Sequence, residues 1–396
     1  MINNTNIDKM HIRCFSWLVA LYFFIAPFED MLNFGFGTLL KYIALLLALL
    51  LLLHLLTGII SINVNDPLII FSCLLILLTW SSVMWSYNLE ATLSQNKTYT
   101  LLIMFFMINR LYKFNDKEII LIKKVVLLSL IFLIFYCIAN YKEILFNNYS
   151  RFVLNDKNDP NNLAAHLIMP YFVLIIFFIN NKGISRILSM IALICASFIF
   201  MLIGSRGALI AVFLGISYIV FYTYNKTNKS NLIFFIVLVF IIYNFILNYL
   251  PGDLIRRLFT VDSYIGDIGV YDSRSGIWKN IITYVVPNMP LWGYGAGVPG
   301  YILIDFYGYI KGVHNTYLNI ILEYGIIGIT FFILFIYYIY SNIKKNGEIL
   351  CNAILISMLV IIFFLDSFEK KYFWNAMMFI TIISNRCQKS NINKIL

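Results

Sequence analysis

The chain has 396 residues, of which 61% are hydrophobic and 12% are charged, and its mean hydropathy is +0.84. These values exclude a soluble globular protein. The formal net charge is +10, but the basic residues gather at the ends of apolar runs instead of forming one patch. We therefore interpret the charge as a membrane topology signal and predict no nucleic-acid partner.

Apolar runs recur from end to end, and each is long enough to cross a hydrocarbon core of about 30 Å. Lipid offers no hydrogen-bond partners to the backbone, so the spans must be helices. We predict an all-α fold: a polytopic integral membrane helical bundle of about twelve transmembrane helices, in one membrane domain over residues 1–396. The predicted spans are 14–34, 38–60, 67–86, 93–112, 119–140, 162–180, 184–204, 206–223, 230–249, 316–341, 349–365 and 368–386.

The short loops between these spans alternate in charge, and the lysine and arginine residues fall on one side of the predicted membrane. The positive-inside rule assigns that side, together with both termini, to the cytoplasm. The basic residues on this side are Arg110, Lys113, Lys117, Lys123, Lys124, Lys182, Arg186, Lys226, Lys229, Lys344 and Lys345.

Residues 250–315 form a large loop on the opposite, external side, and this loop holds half of the glycines and half of the prolines of the chain. A long loop rich in turn residues is more often functional than a simple connection. Its stretch SRSGIWKNIITYVVPN predicts a short helix that lies along the membrane or docks on the bundle. Five apolar residues share one face of this helix: Ile277, Trp278, Ile281, Ile282 and Val285.

The glycines of PLWGYGAGVPGY, later in the same loop, superficially resemble a dinucleotide-binding loop, but no strand precedes them. No His, Cys and Asp cluster in the sequence has metal-ligand spacing. We therefore predict no nucleotide site, no metal and no cofactor.

Arg206 lies in FMLIGSRGALIAVF, between two apolar runs that need a turn. An arginine there costs about 3 kcal/mol unless it reaches water, a partner or a bound anion. Gly204 and Gly207 allow a tight turn and a close approach. Arg206 either extends to the membrane interface or binds an anion on the external face, and the topology favours the second because positive charge is disfavoured on that side.

Arg274 begins the predicted loop helix, where free amide N–H groups and the helix dipole attract an anion. Its guanidinium can bind a phosphate in a bidentate manner, and a pairing with Asp272 or Asp267 is the alternative. Arg256 and Arg257 are further candidates for substrate binding, or else anchors at lipid headgroups.

The stretch VHNTYLNIILEYGIIG places His314 and Asn315 directly before a membrane span. Asn315 is the predicted N-cap, and Gly325 and Gly328 lie near the direction of His314 around the helix. Small residues there allow another helix to pack closely, so the histidine is expected at the mouth of a crevice. A neutral imidazole suits general-base catalysis at external pH, and a purely structural histidine is the alternative.

Asp366 and Glu369 lie between the last two spans on the external side. The sequence leaves two roles open for them, an acidic pair facing the headgroups or partners for Arg206.

Two arginines and a histidine on one membrane face favour a substrate that carries phosphate. Nucleoside triphosphates are cytoplasmic, so a substrate on the external face must bring its own activation. A lipid diphosphate fits this requirement, because its tail occupies the bilayer and arginines stabilise the charge of the leaving diphosphate.

Four short segments together resemble the bacterial O-antigen ligase and polymerase superfamily. His314, Asn315, Gly325 and Gly328 fit a signature of His-Asn, nine residues and Gly-x-x-Gly. GSRGALIAVF is similar to the Ser-Arg-Gly segment of the family, SRSGIWKNI with PLWGYGAG resembles the arginine-to-glycine stretch of its large loop, and NDPNNLA resembles the asparagine-containing start of its sixth span. The order and loop placement of the segments make the resemblance specific.

The resemblance implies a metal-independent glycosyltransferase that moves a glycan from undecaprenyl diphosphate to an acceptor hydroxyl on the outer side of the bacterial cytoplasmic (inner) membrane. It implies that Arg206 and Arg274 bind the diphosphate and that His314 orients or deprotonates the acceptor. Asn315 and Asn161 join the candidate substrate-binding residues on the same ground.

The acceptor decides between two members of this superfamily. A lipid A-core sugar would make the chain an O-antigen ligase of lipopolysaccharide biosynthesis, which the His-Asn signature slightly favours. A second lipid-linked repeat unit would make it a polymerase of O-antigen, capsule or exopolysaccharide. A transporter or flippase of lipid-linked oligosaccharide is the remaining alternative. It predicts internal repeats and charges spread through the membrane depth, whereas the sequence shows no convincing repeat and its candidate residues lie at one face.

Overall fold

A computed structural model of the chain describes residues 4–32, 38–57, 65–140, 152–154, 159–224, 274–308 and 312–385. Within these ranges the secondary structure is helical. The helices are α1 Asn4–Ile25, α2 Leu39–Leu56, α3 Pro67–Ser81, α4 Leu89–Leu111, α5 Asp116–Ala139, α6 Pro160–Asn180, α7 Gly183–Ile203, α8 Arg206–Tyr224, α9 Arg274–Asn280, α10 Pro299–Ile302, α11 Ile304–Tyr307, α12 Thr316–Asn346, α13 Ile349–Ile361 and α14 Lys371–Ser384.

Six of the described helical segments are long and apolar enough to cross a membrane: α2, α3 with its 3₁₀ extension to Trp85, α5, α6, α7 and α12. Shorter apolar helices occur in α1, α8 and α13. Each predicted span overlaps a described helix, apart from 230–249, which lies outside the described residues. The prediction of an all-α, multi-pass membrane protein is confirmed.

Helix α14 lies at the centre of the bundle. Its residues from Tyr372 to Ser384 are buried on every side, and it packs against α4, α6, α12 and α13. A helix that is buried all round is surrounded by protein and not by lipid. Trp374 is only 1% exposed, and its indole N–H donates to the carbonyl of Phe368 over 2.7 Å.

The start of α12 and the turn between α13 and α14, residues 362–370, lie at the same end of the bundle. The Thr316 amide donates to the Ile362 carbonyl over 3.0 Å. The Thr316 hydroxyl donates to the Leu365 carbonyl over 2.6 Å and accepts from the Ser367 amide over 2.8 Å. We call this end of the bundle the Thr316 end.

The basic loops gather at the other end. Helix α12 finishes there with Lys344 and Lys345, and Asn346 donates to the carbonyl of Ser384 at the end of α14. Arg110 at the end of α4 pairs there with Asp66, the N-cap of α3, over 2.8 Å. This separation of the two ends agrees with the charge alternation read from the sequence, whereas the side of the membrane that each end faces stays a prediction.

Helix α12 is interrupted at Gly325, whose backbone has φ 64° and ψ −155°. Residues 290–297 of the large loop dock against this break, and we call them the docking segment. The Tyr294 amide donates to the Leu322 carbonyl over 2.7 Å, and the Ile326 amide donates to the Pro290 carbonyl over 2.9 Å. The loop backbone thus satisfies the groups that the interrupted helix leaves unpaired, as burial in a membrane protein requires.

Glycines make this docking possible. A Cβ atom at Gly325 would lie 2.2 Å from the Leu291 oxygen, and one at Gly293 would lie 2.5 Å from the Tyr324 nitrogen. The expectation from the sequence is that a second helix packs beside Gly325 and Gly328. That expectation is wrong for Gly325, because the backbone of the docking segment occupies the space.

The described part of the large loop forms a second, small hydrophobic cluster together with Leu322 of α12. Its buried members are Ile277, Ile281, Val285, Val298, Ile302, Leu303, Val313 and Leu322. Four of the five residues of the predicted stripe are at least partly buried, but Ile282 is 57% exposed. The stripe shifts there because the helix widens into a π turn over Ile281–Val285.

We expect Gly325→Ala to destabilise the protein by about 3 kcal/mol or more, because a side chain there is strained and displaces the docking segment. Gly347→Ala is the matched control. Gly347 has φ 66°, but no atom lies within 4 Å of the position that a side-chain methyl group would take, so its cost is only about 1 kcal/mol of backbone strain. Thermal unfolding in detergent measures the stability of both variants. Equal losses of stability would contradict the claim that the docking segment fills the space beside Gly325.

Candidate active site

His314 stands in a left-handed backbone conformation, with φ 53°. Few residues other than glycine adopt it, so the turn needs support. Asp366 supplies this support. Its Oδ2 accepts from the His314 amide over 2.9 Å, and its Oδ1 accepts from the Asn315 amide over 3.1 Å. Both oxygens of one carboxylate therefore hold the histidine turn in place.

The imidazole of His314 lies over Gly312. A Cβ atom at Gly312 would be 3.3 Å from the His314 Nε2 and 3.4 Å from the Asp366 Oδ2, so the ring and the carboxylate share this small space. Burial raises the pKa of Asp366, while the His314 amide and the nearby charge of the imidazole oppose this rise. His314 is partly exposed.

Asn315 is the N-cap of α12, as predicted. Its backbone is extended, and its Oδ1 accepts from the Leu318 amide over 3.1 Å. The residue is only 2% exposed. Asn315 therefore fixes the direction in which α12 leaves the histidine turn, and its role in substrate binding stays a prediction.

Arg206 is the first residue of α8, and its side chain is exposed. Gly204 ends α7 in the left-handed conformation, with φ 63°. A Cβ atom at Gly207 would lie 2.9 Å from the Phe364 side chain. The prediction that these two glycines allow a tight turn and a close approach is confirmed, and it brings the start of α8 to the turn that contains Asp366.

Arg274 is the first residue of α9 and is also exposed. One helical turn later, the Trp278 indole N–H donates to the Val313 carbonyl over 2.9 Å. The Trp278 ring meets the Phe363 ring edge-on, with 5.2 Å between centroids. These contacts fix α9 both to the histidine turn and to the turn that contains Asp366.

Asn161 lies in the first turn of α6, where its amide and its Nδ2 both donate to Asp159 Oδ1, over 2.9 and 2.8 Å. His166, one turn later, packs edge-on against Tyr372 of α14, with 5.4 Å between ring centroids. Asn161 therefore also lies at the Thr316 end. Arg256 and Arg257 lie outside the described residues.

The turn of residues 362–370 is thus the common neighbour of three candidate segments. It binds the His314 turn through Asp366, packs against Gly207 beside Arg206, and contacts α9 behind Arg274. This turn therefore connects the histidine turn to the segments that begin with Arg206 and Arg274. An imidazole can accept a proton and guanidinium groups can bind an anion. Within the described ranges no group of three or more His, Cys, Asp and Glu side chains is placed to hold a metal ion.

The structure gives partners to Asp366 and Glu369, the two carboxylates for which the sequence left two roles open. Asp366 supports the histidine turn, a function that no spacing reveals because 52 residues separate it from His314. Glu369 accepts from Gln95 Nε2 over 2.9 Å and pairs with Lys370 over 2.6 Å. A third carboxylate, Glu323, is 1% exposed, and the signal that could have found it was its position inside an apolar run, where a carboxylate is costly.

Residues 191–333 match the model of the protein family described as O-Antigen ligase. The matched segment contains Arg206, Arg274, His314 and Asn315, whereas Asn161 and Asp366 lie outside it. The match confirms the resemblance to the O-antigen ligase and polymerase superfamily. No curated protein matches the chain.

We expect Asp366→Ala to loosen the histidine turn, because two amide groups lose their acceptor, each at a cost of about 1–3 kcal/mol. Hydrogen–deuterium exchange of peptides that cover residues 312–318 measures this effect. Asp366→Asn retains one acceptor oxygen and should give an intermediate rate. Glu369→Ala is the control, because Glu369 bonds to Gln95 and Lys370 instead. Unchanged exchange in Asp366→Ala would contradict the role assigned to Asp366.

Proposed function

We propose, from the premise that residues 191–333 are an O-antigen ligase segment, that the chain moves a glycan from undecaprenyl diphosphate to an acceptor sugar hydroxyl. The broad class, a membrane glycosyltransferase of the O-antigen ligase and polymerase type, is supported by this match and by the membrane-spanning helices. The observation that carries the proposal is the turn of residues 362–370, which orders the histidine turn and contacts the segments that begin with Arg206 and Arg274.

The donor is activated by its own diphosphate. Arg206 and Arg274 are exposed at helix starts, where their guanidinium groups bind phosphate oxygens in bidentate fashion. As the glycosidic bond breaks, negative charge develops on the leaving diphosphate, and the two arginines stabilise it. The positive charge that a metal ion supplies in other enzymes comes here from side chains, so the reaction is metal-independent and needs no cofactor.

The acceptor hydroxyl is activated by His314. Its oxygen attacks the anomeric carbon of the donor sugar, and a new C–O bond forms as the bond to the diphosphate oxygen breaks. The diphosphate leaves with the bonding electrons, and the hydroxyl proton passes to the imidazole. Asp366 fixes the backbone of His314 and places negative charge beside the ring, which favours the protonated imidazole formed in this step.

An O-antigen ligase that uses lipid A-core as acceptor is the form of this reaction that we favour slightly. The His-Asn signature and the family match support it. A polymerase that extends O-antigen, capsular or exopolysaccharide repeat units would use the same site with a second lipid-linked repeat unit as acceptor.

The site lies on the external, periplasmic face of the bacterial inner membrane in this proposal, with both termini in the cytoplasm. Residues 250–315 are then the large external loop between spans nine and ten of one membrane domain that extends over residues 1–396. The basic loops at the end of the bundle opposite to Thr316 support this orientation.

We expect His314→Ala to lower turnover about 100-fold or more, because removal of a general base costs roughly 10² to 10⁴ in rate. Purified protein receives an undecaprenyl diphosphate-linked repeat unit, with and without lipid A-core, in the presence of EDTA. Gels and mass spectrometry resolve the products. His54→Ala is the histidine control, because His54 lies in α2 beside Phe15, away from the Thr316 end. Full activity of His314→Ala would refute the assignment.

The products that the wild-type protein forms identify the acceptor. Glycan on core, formed only when core is present, identifies a ligase. Longer lipid-linked chains without core identify a polymerase, and donor binding without turnover favours a transporter.

Arg206→Ala and Arg274→Ala should each raise the donor KM about 10- to 100-fold, because each removes a charged hydrogen bond worth about 1.5–3 kcal/mol. Lysine replacements should recover part of the loss, since they keep the charge but not the bidentate geometry. The controls are Lys279→Ala, an exposed cation on α9, and Arg186→Ala on α7. An unchanged donor KM in both arginine variants would contradict the donor site.

A further inference from the structure

Glu323 is a buried carboxylate whose bonds join three parts of the fold. It is 1% exposed and lies in α12, two residues before the break at Gly325. The Tyr99 hydroxyl contacts its two oxygens over 3.0 and 2.9 Å. The Gly297 amide donates to its Oε1 over 2.8 Å, and Asn319 Nδ2 donates to the same oxygen over 3.3 Å. Tyr99 belongs to α4 and Gly297 to the docking segment.

The docking segment is held from both sides at this point. On the α12 side, the Gly295 amide donates to the Glu323 carbonyl over 3.0 Å. On the α4 side, the Thr92 hydroxyl donates to the Ala296 carbonyl over 2.8 Å. The Glu323 side chain lies where these two sets of bonds meet, so it binds the segment to both helices at once.

The docking segment also connects two parts of the candidate site. It follows α9, which begins at Arg274, and it pairs with the first turns of α12, which begins after His314. The Tyr294 hydroxyl of the segment donates to the Val285 carbonyl over 2.8 Å, in the π turn that continues α9. The segment thus holds the far end of the helix that begins at Arg274, while Trp278 holds its first turns. Burial of a carboxylate costs several kcal/mol unless hydrogen bonds satisfy it. The buried position of Glu323 therefore favours the arrangement in which the docking segment supplies its donor.

We propose that Glu323 is a positioning residue of the reaction described above: it locks the docking segment into the break of α12 and thereby sets the place of Arg274 relative to His314. This inference rests on the proposed function. Glu323 acts through hydrogen-bond acceptance, because a side chain that is 1% exposed and bonded to Tyr99, Gly297 and Asn319 does not reach the substrate.

Comparison of Glu323→Gln with Glu323→Ala separates the effect of hydrogen-bond acceptance by residue 323 from the effect of its negative charge. The glutamine keeps an oxygen for the Gly297 and Asn319 donors and turns its amide toward the Tyr99 oxygen. The alanine removes every acceptor. Tyr99→Phe removes one donor while the carboxylate stays, and it serves as the milder variant if Glu323→Ala does not fold.

Glu118→Ala is the matched control for loss of a buried carboxylate. Glu118 is 6% exposed. It accepts from the Tyr112 hydroxyl over 3.1 Å and from the Asn115 amide over 2.9 Å. It caps α5 at the basic end of the bundle, so its loss destabilises the fold without touching the docking segment.

The test combines two measurements on the full-length protein in detergent or nanodiscs. Hydrogen–deuterium exchange of peptides covering residues 289–297 reports whether the docking segment is held, independently of activity. Steady-state kinetics with the undecaprenyl diphosphate-linked donor report whether a displaced docking segment lowers kcat.

We expect Glu323→Ala to speed exchange in residues 289–297 at least tenfold and to lower kcat about 100-fold, the loss that a displacement of about 1 Å produces. Glu323→Gln should remain within about threefold of wild type in both measurements, because it conserves the acceptor oxygen. Tyr99→Phe should raise exchange in the same peptides to a smaller extent. Glu118→Ala should leave both measurements unchanged.

Two results would overturn the inference. If Glu323→Gln loses turnover while its exchange matches wild type, the carboxylate acts by its charge and not by positioning. If exchange in residues 289–297 is unchanged in Glu323→Ala, or is unchanged in Tyr99→Phe where the alanine variant does not fold, Glu323 does not hold the segment. Absence of glycan transfer by wild type refutes the proposed function instead, while the exchange data still decide whether Glu323 locks the loop.

Discussion

The break in α12 is the constraint on which the rest of the site depends. A membrane helix that opens at Gly325 leaves amide and carbonyl groups without partners, and lipid supplies none. The docking segment satisfies them with its own backbone, including the bonds from Tyr294 to Leu322 and from Ile326 to Pro290. The loop and the helix therefore stabilise each other, so the docking segment becomes a fixed part of the helical bundle.

The spatial arrangement of the candidate active site follows from this constraint. The loop carries α9 to the turn of residues 362–370, where Trp278 packs against Phe363. The same turn presents Asp366 to the amides of His314 and Asn315. The positive φ of His314 is strain that this carboxylate offsets, and strained backbone of this kind clusters at functional sites. The contact with the Asp366 carboxylate and the positive φ thus both single out His314.

The bundle separates the charges of the chain in a way that suits its proposed chemistry. Basic loops lie at one end of the described helices, while the histidine turn, the exposed arginines, the partly buried Asp366 and the buried Glu323 lie at the other. Each of these acids has backbone donors as partners, so neither is an uncompensated charge.

The sequence by itself determined the helical spans, the cap at Asn315, the close approach at Gly207 and the residue types that can handle a diphosphate, because hydropathy, capping and glycine geometry act over a few neighbouring residues. Only the tertiary structure decided what Gly325 is for and what Asp366 and Glu323 bind. Their partners lie far away along the chain: 52 residues separate Asp366 from His314, and 224 separate Glu323 from Tyr99. Local patterns carry no record of such contacts, because packing in three dimensions creates them.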